Sequence, residues 1–155
     1  VIEAGFKYNM PDVLAAIGLS EIDRYDETLL KRKEIFDYYS ASLSTTAWAQ
    51  IPLYESPTKT SSYHLYLLRI RGFDQEKRNL LIQRLAEKGI STNVHYKPLP
   101  LLSLYKDLGY KMKSYPMAYS YYEQEISLPV YYDLSKQDSF KVVETLIEEV
   151  NSINA

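Results

Sequence analysis

The chain has 155 residues, with 18 lysines and arginines against 20 aspartates and glutamates, which gives a formal net charge of −2. This length suits one domain, or one domain with a long appendage. The balanced charge argues against a protein that binds nucleic acid or anionic membranes through a concentrated basic face. The sequence contains no cysteine, which excludes disulfides, thiolate nucleophiles and cysteine-ligated zinc sites.

The first predicted element is a long helix over residues 11–43. Apolar residues recur there near the helical period with charged residues between them, at Leu14, Ile17, Ile22, Tyr25, Leu29, Phe36, Tyr39 and Leu43. Such a helix would run about 45–50 Å, a length typical of a bridge between two bodies. Asn9, followed three residues later by Asp12 and with Pro11 in the first turn, is predicted to be the N-cap of this helix.

The middle of the chain predicts a loop followed by alternating strands and helices. Residues 44–62 mix serine, threonine and two prolines, and are predicted to form a linker loop. The aromatic and aliphatic run 63–71, closed by Gly72, predicts a strand. Residues 76–88 predict a helix that stops at Gly89, and the alternation over 90–96 predicts a second strand.

The last third of the chain predicts three helices and a short strand. Short helices are expected over 101–108 and 116–124, and a strand over 126–128 before Pro129. Ser135 and Asp138 predict a capping box for the final helix, whose apolar stripe is Phe140, Val143, Leu146, Ile147 and Val150. This order predicts an α+β fold, in which a sheet of about three strands is covered by helices.

The sequence offers few candidate sites for catalysis or for binding a metal or an anion. The two histidines, His64 and His95, lie on separate predicted strands without metal-ligand spacing, so no metal site is expected. The sequence has neither a Gly-x-Ser-x-Gly elbow nor a glycine-rich phosphate loop. The start of the long helix is a candidate anion site, because Lys7 and Asn9 precede unpaired backbone N–H groups. The alternative is that Asn9 only caps the helix and Lys7 is a surface charge.

Four segments, in order, resemble the C-terminal portion of the DegT/DnrJ/StrS-type sugar aminotransferases. They are residues 5–13 with 15–19, residues 63–66, residues 89–99 and residues 126–131. The resemblance implies the small domain of a fold-type I enzyme that depends on pyridoxal phosphate (PLP). It also implies a homodimer that transfers an amino group, typically from glutamate, to the keto sugar of a nucleotide sugar.

The resemblance also assigns candidate site residues and a domain division. Lys7 or Asn9 would contact the PLP phosphate, and His95 and Tyr96 would border the nucleotide-sugar pocket, although His95 could instead only hydrogen-bond along a strand edge. Residues 1–43 would form the cofactor loop and interdomain helix, 44–62 a linker, and 63–155 the small domain. The family's cofactor-anchoring lysine would lie upstream, so no catalytic residue is expected here and the isolated chain should be inactive.

Three further features of the sequence bear on its extent, its location and an alternative function. The chain begins at Val1 rather than at methionine, so we expect a piece of a longer protein. It has no apolar run of membrane-spanning length and no signal-peptide pattern, which favours a cytoplasmic location without membrane partners. Seven of its 16 tyrosines lie between residues 110 and 132, which leaves open an alternative function as a free-standing protein-interaction module with a tyrosine-rich face.

Overall fold

The computed structural model describes residues 8–155, and this part of the chain begins with two helices rather than one. Helices α1 (Asp12–Asp23) and α2 (Tyr25–Leu43) are separated at Arg24, whose φ of −113° and ψ of 11° leave the helical region. The prediction of one continuous helix is therefore wrong. No glycine or proline marks the break and the apolar spacing continues across it, so the pattern alone did not show it.

The helix start also differs from the prediction. Pro11 is the N-cap of α1, and no side chain among residues 8–155 accepts a hydrogen bond from the first turn. The predicted capping role of Asn9 is therefore wrong, because the proline at residue 11 has an extended ψ of 146° and the helix begins only after it.

Strands follow in the segment that was predicted to be only a linker. It contains β1 (Ala49–Gln50) and a small hairpin of β2 (Glu55–Ser56) and β3 (Lys59–Thr60). Strands β4 (Tyr66–Ile70) and β5 (Glu125–Leu128) come later. The main sheet is antiparallel in the order β1-β4-β5, which confirms the predicted α+β fold with a three-stranded sheet.

The predicted strand over residues 90–96 is wrong. This segment makes one isolated bridge to β5, between Asn93 and Ser127, and then turns away, with a cis peptide bond between His95 and Tyr96. Alternating polarity indicates a strand only where a partner continues alongside it, and β5 pairs here for a single position.

The helices after β4 agree well with the predictions. They are α3 (Gln75–Glu87), α4 (Ser103–Asp107), α5 (Pro116–Gln124) and α6 (Lys136–Asn154), with 3-10 turns at Leu99–Leu101 and Met112–Ser114. The Ser135 hydroxyl accepts from the backbone N–H of Asp138 at 3.0 Å, which confirms the predicted cap of α6. Gly89, with φ of +79°, follows α3 in the left-handed conformation that ends many helices.

One face of the sheet packs into the core. Its buried side chains are Tyr66, Leu68, Ile70, Ile126 and Leu128, and they meet residues of α2, α3 and α6. The stripe of α6 is confirmed at Val143, Leu146 and Val150, but Phe140 is 51% exposed because the first turn of α6 borders an open cavity beside α2.

The other face of the sheet carries polar groups. Leu67 pairs with Ser127 and Arg69 pairs with Glu125, and cross-strand partners project to the same side. Helix α5 lies over this side, and its residues enclose a cleft above the two strands. Within residues 8–155, no helix combines the length and the apolar character needed to cross a bilayer.

Candidate functional site

A cleft of about 280 Å³ opens above the polar face of the sheet. Its walls include Leu67 and Arg69 from β4, Tyr121 and Tyr122 from α5, and the two consecutive residues His95 and Tyr96. Aromatic rings with polar tips beside a cation are suited to a polar, partly planar ligand.

The structure brings two of the four predicted site residues together. His95 and Tyr96 both line the cleft. Tyr96 is 74% exposed, and its ring lies edge-on to the imidazole of His95 with 4.7 Å between the ring centres. Asn9 is exposed just before α1 and is not part of the cleft wall, and Lys7 lies outside the described residues. His64 is exposed and does not line the cleft.

A chain of hydrogen bonds holds His95 against β5. The Nδ1 of His95 lies 2.7 Å from the hydroxyl of Ser127, and this hydroxyl lies 2.7 Å from Oε1 of Glu125. The other carboxylate oxygen of Glu125 accepts from the backbone N–H of His95 at 3.0 Å. Because Glu125 and Ser127 are buried, this contact is the interior side of the imidazole.

The surroundings of Glu125 act on the pKa of its carboxyl group in opposite directions. Burial raises the pKa of Glu125 above the usual range of a carboxyl group. The hydrogen bonds from Ser127 and from the His95 backbone, together with the positive charge of Arg78, oppose that shift by favouring the carboxylate.

Arg78 fixes the point at which α5 ends and β5 begins. Its side chain is 1% exposed, and Nη1 donates to the carbonyl oxygens of Tyr122 at 3.0 Å and Glu125 at 3.4 Å. A cation at the end of α5 satisfies carbonyls that have no partner in the helix. The buried guanidinium therefore holds in place the backbone that carries Glu125.

Arg69 is the second cation at the site, and it is accessible from the cleft. Its guanidinium lies 3.9 Å from the ring centre of Tyr121 and makes no hydrogen bond or ion pair with any residue from 8 to 155. Glu125 stands opposite Arg69 in the sheet, but its carboxylate is bound to Ser127 and His95 instead. The cleft therefore has an oriented positive charge with unused donors.

A larger cavity of about 800 Å³ lies between α2 and the start of α6. The charged residues around it, such as Lys31, Glu34 and Lys136, are exposed side chains of both signs. The described residues also contain no group of three or more histidines and acids that could hold a metal ion. The smaller cleft is the better candidate site because the buried Glu125 and Ser127 orient His95 at a wall that also holds the accessible cation Arg69.

Comparison with known proteins identifies the family. Residues 1–147 match the DegT/DnrJ/EryC1/StrS aminotransferase family. The chain belongs to this family. The match covers the His95–Tyr96 segment and both strands of the cleft, and it confirms the resemblance that the sequence motifs indicated.

Individual relatives agree with this membership. The chain is 34% identical to the spore coat polysaccharide biosynthesis protein SpsC of Bacillus subtilis over 92% of its length. It is 30% identical to a UDP-4-amino-4,6-dideoxy-N-acetyl-beta-L-altrosamine transaminase of Campylobacter jejuni over 99% of its length. The structure of Spr1654 from Streptococcus pneumoniae, described as a sugar aminotransferase and solved in its PLP-form, covers 98% of the chain with a TM-score of 0.94 and 41% identity.

The chain is shorter than these proteins. It spans 37% of SpsC, 40% of the Campylobacter jejuni transaminase and 38% of the Spr1654 chain. The small α+β domain described above is therefore equivalent to a part of each relative.

Sequence reasoning missed three residues of the site. Arg69, Glu125 and Ser127 were not proposed as site residues, because no local pattern connects Arg69 with the two residues of β5. Tyr121 belongs to the run of seven tyrosines that the sequence singled out. The pairing of β4 with β5 brings Arg69 next to Glu125 across a separation of 56 positions. A prediction of that strand pairing would have been the signal that groups them.

Proposed function

We propose that this chain is the C-terminal portion of a PLP-dependent aminotransferase that transfers an amino group, typically from glutamate, to the keto sugar of a nucleotide sugar. The observation that carries the proposal is the position of His95 and Tyr96. The family resemblance assigned both to the substrate side, and both line one cleft with the unpaired cation Arg69.

The cleft chemistry supports a nucleotide sugar as the ligand. Such a molecule presents hydroxyl groups, an apolar ring face and a negatively charged diphosphate. Tyr96 and Tyr121 can pack against ring faces, and the fork of a guanidinium matches the geometry of a phosphate. Arg69 supplies that fork, since its donors have no partner among the described residues.

The start of α1 supports a role at the phosphate of the cofactor. No side chain of the described part of the chain caps α1, so the first backbone N–H groups of the helix and the exposed Asn9 amide can donate to an anion. Asn9, and Lys7 before it, would hold the phosphate end of PLP. When bound, PLP supplies the electron sink that makes amino-group transfer possible. The lysine that anchors it would lie in a part of the protein preceding this chain.

The residues of the chain would bind and orient the sugar. The imidazole of His95 and the hydroxyl of Tyr96 would hydrogen-bond to the substrate, while Leu67 and Tyr122 would exclude water from one side. We further propose a cytoplasmic homodimer in which the segment before α1 reaches the site of the second subunit. The isolated chain would then have no transaminase activity.

The complete protein tests this proposal through Arg69. We expect glutamate-dependent transamination of a UDP-linked keto sugar by the complete protein, measured as 2-oxoglutarate release, and none by residues 1–155 alone. Arg69→Gln should raise the KM for the sugar nucleotide about tenfold or more, because a hydrogen bond to a charged group is worth about 1.5–3 kcal/mol. The KM for glutamate should change little.

Arg71→Gln is the matched control. Arg71 lies two residues further along and is exposed, and its guanidinium donates to the backbone carbonyl of Ala47, outside the cleft. The proposal fails if the complete protein does not require PLP, or if the Arg69 and Arg71 variants have the same KM for the sugar nucleotide.

A further inference from the structure

The two buried polar residues behind His95 restrict the position of its ring proton. Glu125 and Ser127 are 6% and 5% exposed, and both oxygens of the Glu125 carboxylate already accept hydrogen bonds. A carboxylate has no proton to donate, so the proton between Glu125 and Ser127 must come from the serine hydroxyl.

That direction determines the next hydrogen bond in the chain. A serine hydroxyl carries a single proton. Once that proton points at Oε1 of Glu125, the serine oxygen can only accept at the 2.7 Å contact with Nδ1 of His95. The donor in this contact must therefore be an N–H group at Nδ1.

The other ring nitrogen is left with a lone pair. A neutral imidazole carries one N–H group, so a proton on Nδ1 leaves Nε2 as an acceptor. No residue from 8 to 155 hydrogen-bonds to Nε2, and His95 lines the open cleft. Nε2 is therefore available to accept a hydrogen bond from a ligand in the cleft.

The reverse arrangement requires a protonated Glu125. In that case the carboxyl would donate to Ser127, Ser127 would donate to Nδ1, and Nε2 would carry the proton. Burial raises the pKa of Glu125 and works toward this reverse arrangement. The hydrogen bonds that Ser127 and the backbone N–H of His95 donate to the two carboxylate oxygens, with the nearby guanidinium of Arg78, favour the carboxylate and the first arrangement.

We propose that Glu125 and Ser127 are positioning residues that hold neutral His95 as its Nδ1–H tautomer, so that Nε2 accepts a hydrogen bond from a hydroxyl or amino group of the ligand. The identity of that ligand as a sugar rests on the proposed function, whereas the tautomer does not. A site built to accept a donor discriminates strongly against an analogue that lacks the donor.

The tautomer can be measured without substrate or cofactor. In the 15N-labelled protein, at a pH where the imidazole is neutral, long-range 1H–15N correlation spectra distinguish a protonated from an unprotonated ring nitrogen. We expect His95 to show a protonated Nδ1 and an unprotonated Nε2. A protonated Nε2 in the wild-type protein would overturn the proposal, and this result would leave the proposed function standing.

Two substitutions at Ser127 test the cause. Ser127→Ala removes the acceptor, so the Nδ1–H preference of His95 should be lost, while Ser127→Thr keeps the hydroxyl and should preserve it. The exposed His64 is an internal control whose signals should not move in either variant. Circular dichroism and thermal unfolding confirm that the variants fold. An unchanged tautomer in folded Ser127→Ala would refute the role of the serine, and the wild-type spectrum tests the tautomer even if that variant does not fold.

The ligand part of the proposal is tested in the complete protein. We expect one singly deoxygenated sugar analogue to lower kcat/KM with the wild-type protein, and Ser127→Ala to lower kcat/KM with the normal sugar. The two losses should not add when the variant is given that analogue, because both changes remove the same hydrogen bond. Additive losses for every analogue would contradict the assignment of a donor group opposite Nε2.

Discussion

The first and last helices of the structure respond differently to similar sequence patterns. In α6, seven residues are buried, including Val143, Leu146 and Val150. In α1, none is buried, and its apolar residues Val13, Leu14, Ile17, Leu19 and Ile22 are 55–72% exposed. Apolar periodicity indicates which face of a helix prefers burial, but burial requires a partner surface.

The two helices therefore differ in how much their packing stabilises the fold. Helix α6 packs against α2 and α3 and fills the core behind the sheet. Helix α1 follows the exposed segment that contains Asn9, and within residues 8–155 its main contact is with α2. We therefore expect equal substitutions in the two helices to have unequal effects on unfolding.

The largest difference is expected for leucine truncation. Leu146→Ala in α6 removes a side chain with no exposure and should lower the free energy of unfolding by about 2–5 kcal/mol. Leu14→Ala in α1 makes the same change at a site that is 55% exposed and should cost less than about 0.5 kcal/mol. Urea unfolding followed by circular dichroism measures both, and equal losses would break the comparison.

Substitutions at the starts of α6 and α1 should differ by a smaller amount in their effect on stability. Ser135→Ala removes the hydroxyl that accepts from Asp138 N–H and should cost about 1 kcal/mol of stability. Asn9→Ala should leave the unfolding midpoint unchanged, because Asn9 does not cap α1. A comparable loss in the Asn9 variant would restore the capping role that the sequence predicted.

The smallest expected effect is a change in pH dependence. The hydrogen bonds of Glu149 with Lys88 and then with Arg84 lower the pKa of Glu149, which links α6 to α3. A lowered pKa in the folded state means that this stabilisation is fully present above about pH 4.3, the ordinary glutamate value, and is lost as pH falls through the folded-state pKa.

Glu149→Gln should therefore make the acid branch of the thermal-unfolding profile shallower. Glu148→Gln is the neighbouring control, since Glu148 also binds Lys88 at 3.0 Å but its side chain is 70% exposed. An acid branch that is equally steep in wild type and the Glu149 variant would show that the ion pairs of Glu149 do not stabilise the contact between α3 and α6.

The cleft combines predictable and unpredictable elements. His95 and Tyr96 were predicted as site residues from the family resemblance of their segment. The family match over residues 1–147 confirms the resemblance, and the role of the two residues at the substrate stays a prediction. Ser127 and Glu125 were not identified, although they determine how His95 is held. Their role depends on the hydrogen-bonded approach of residue 93 to β5, and alternation within a segment does not report the partner it pairs with.

The sequence by itself determined the features that depend on neighbours a few positions apart. These are the cap at Ser135, the stop at Gly89, the extent of α5, and the family motif around His95. Tertiary structure alone decided the break at Arg24, the exposure of α1, the strand β1 in the presumed linker, and the grouping of Arg69, Glu125 and Ser127 around His95. The physical reason is that caps and turns are satisfied within one helical turn, whereas burial and strand register depend on distant segments that local patterns do not specify.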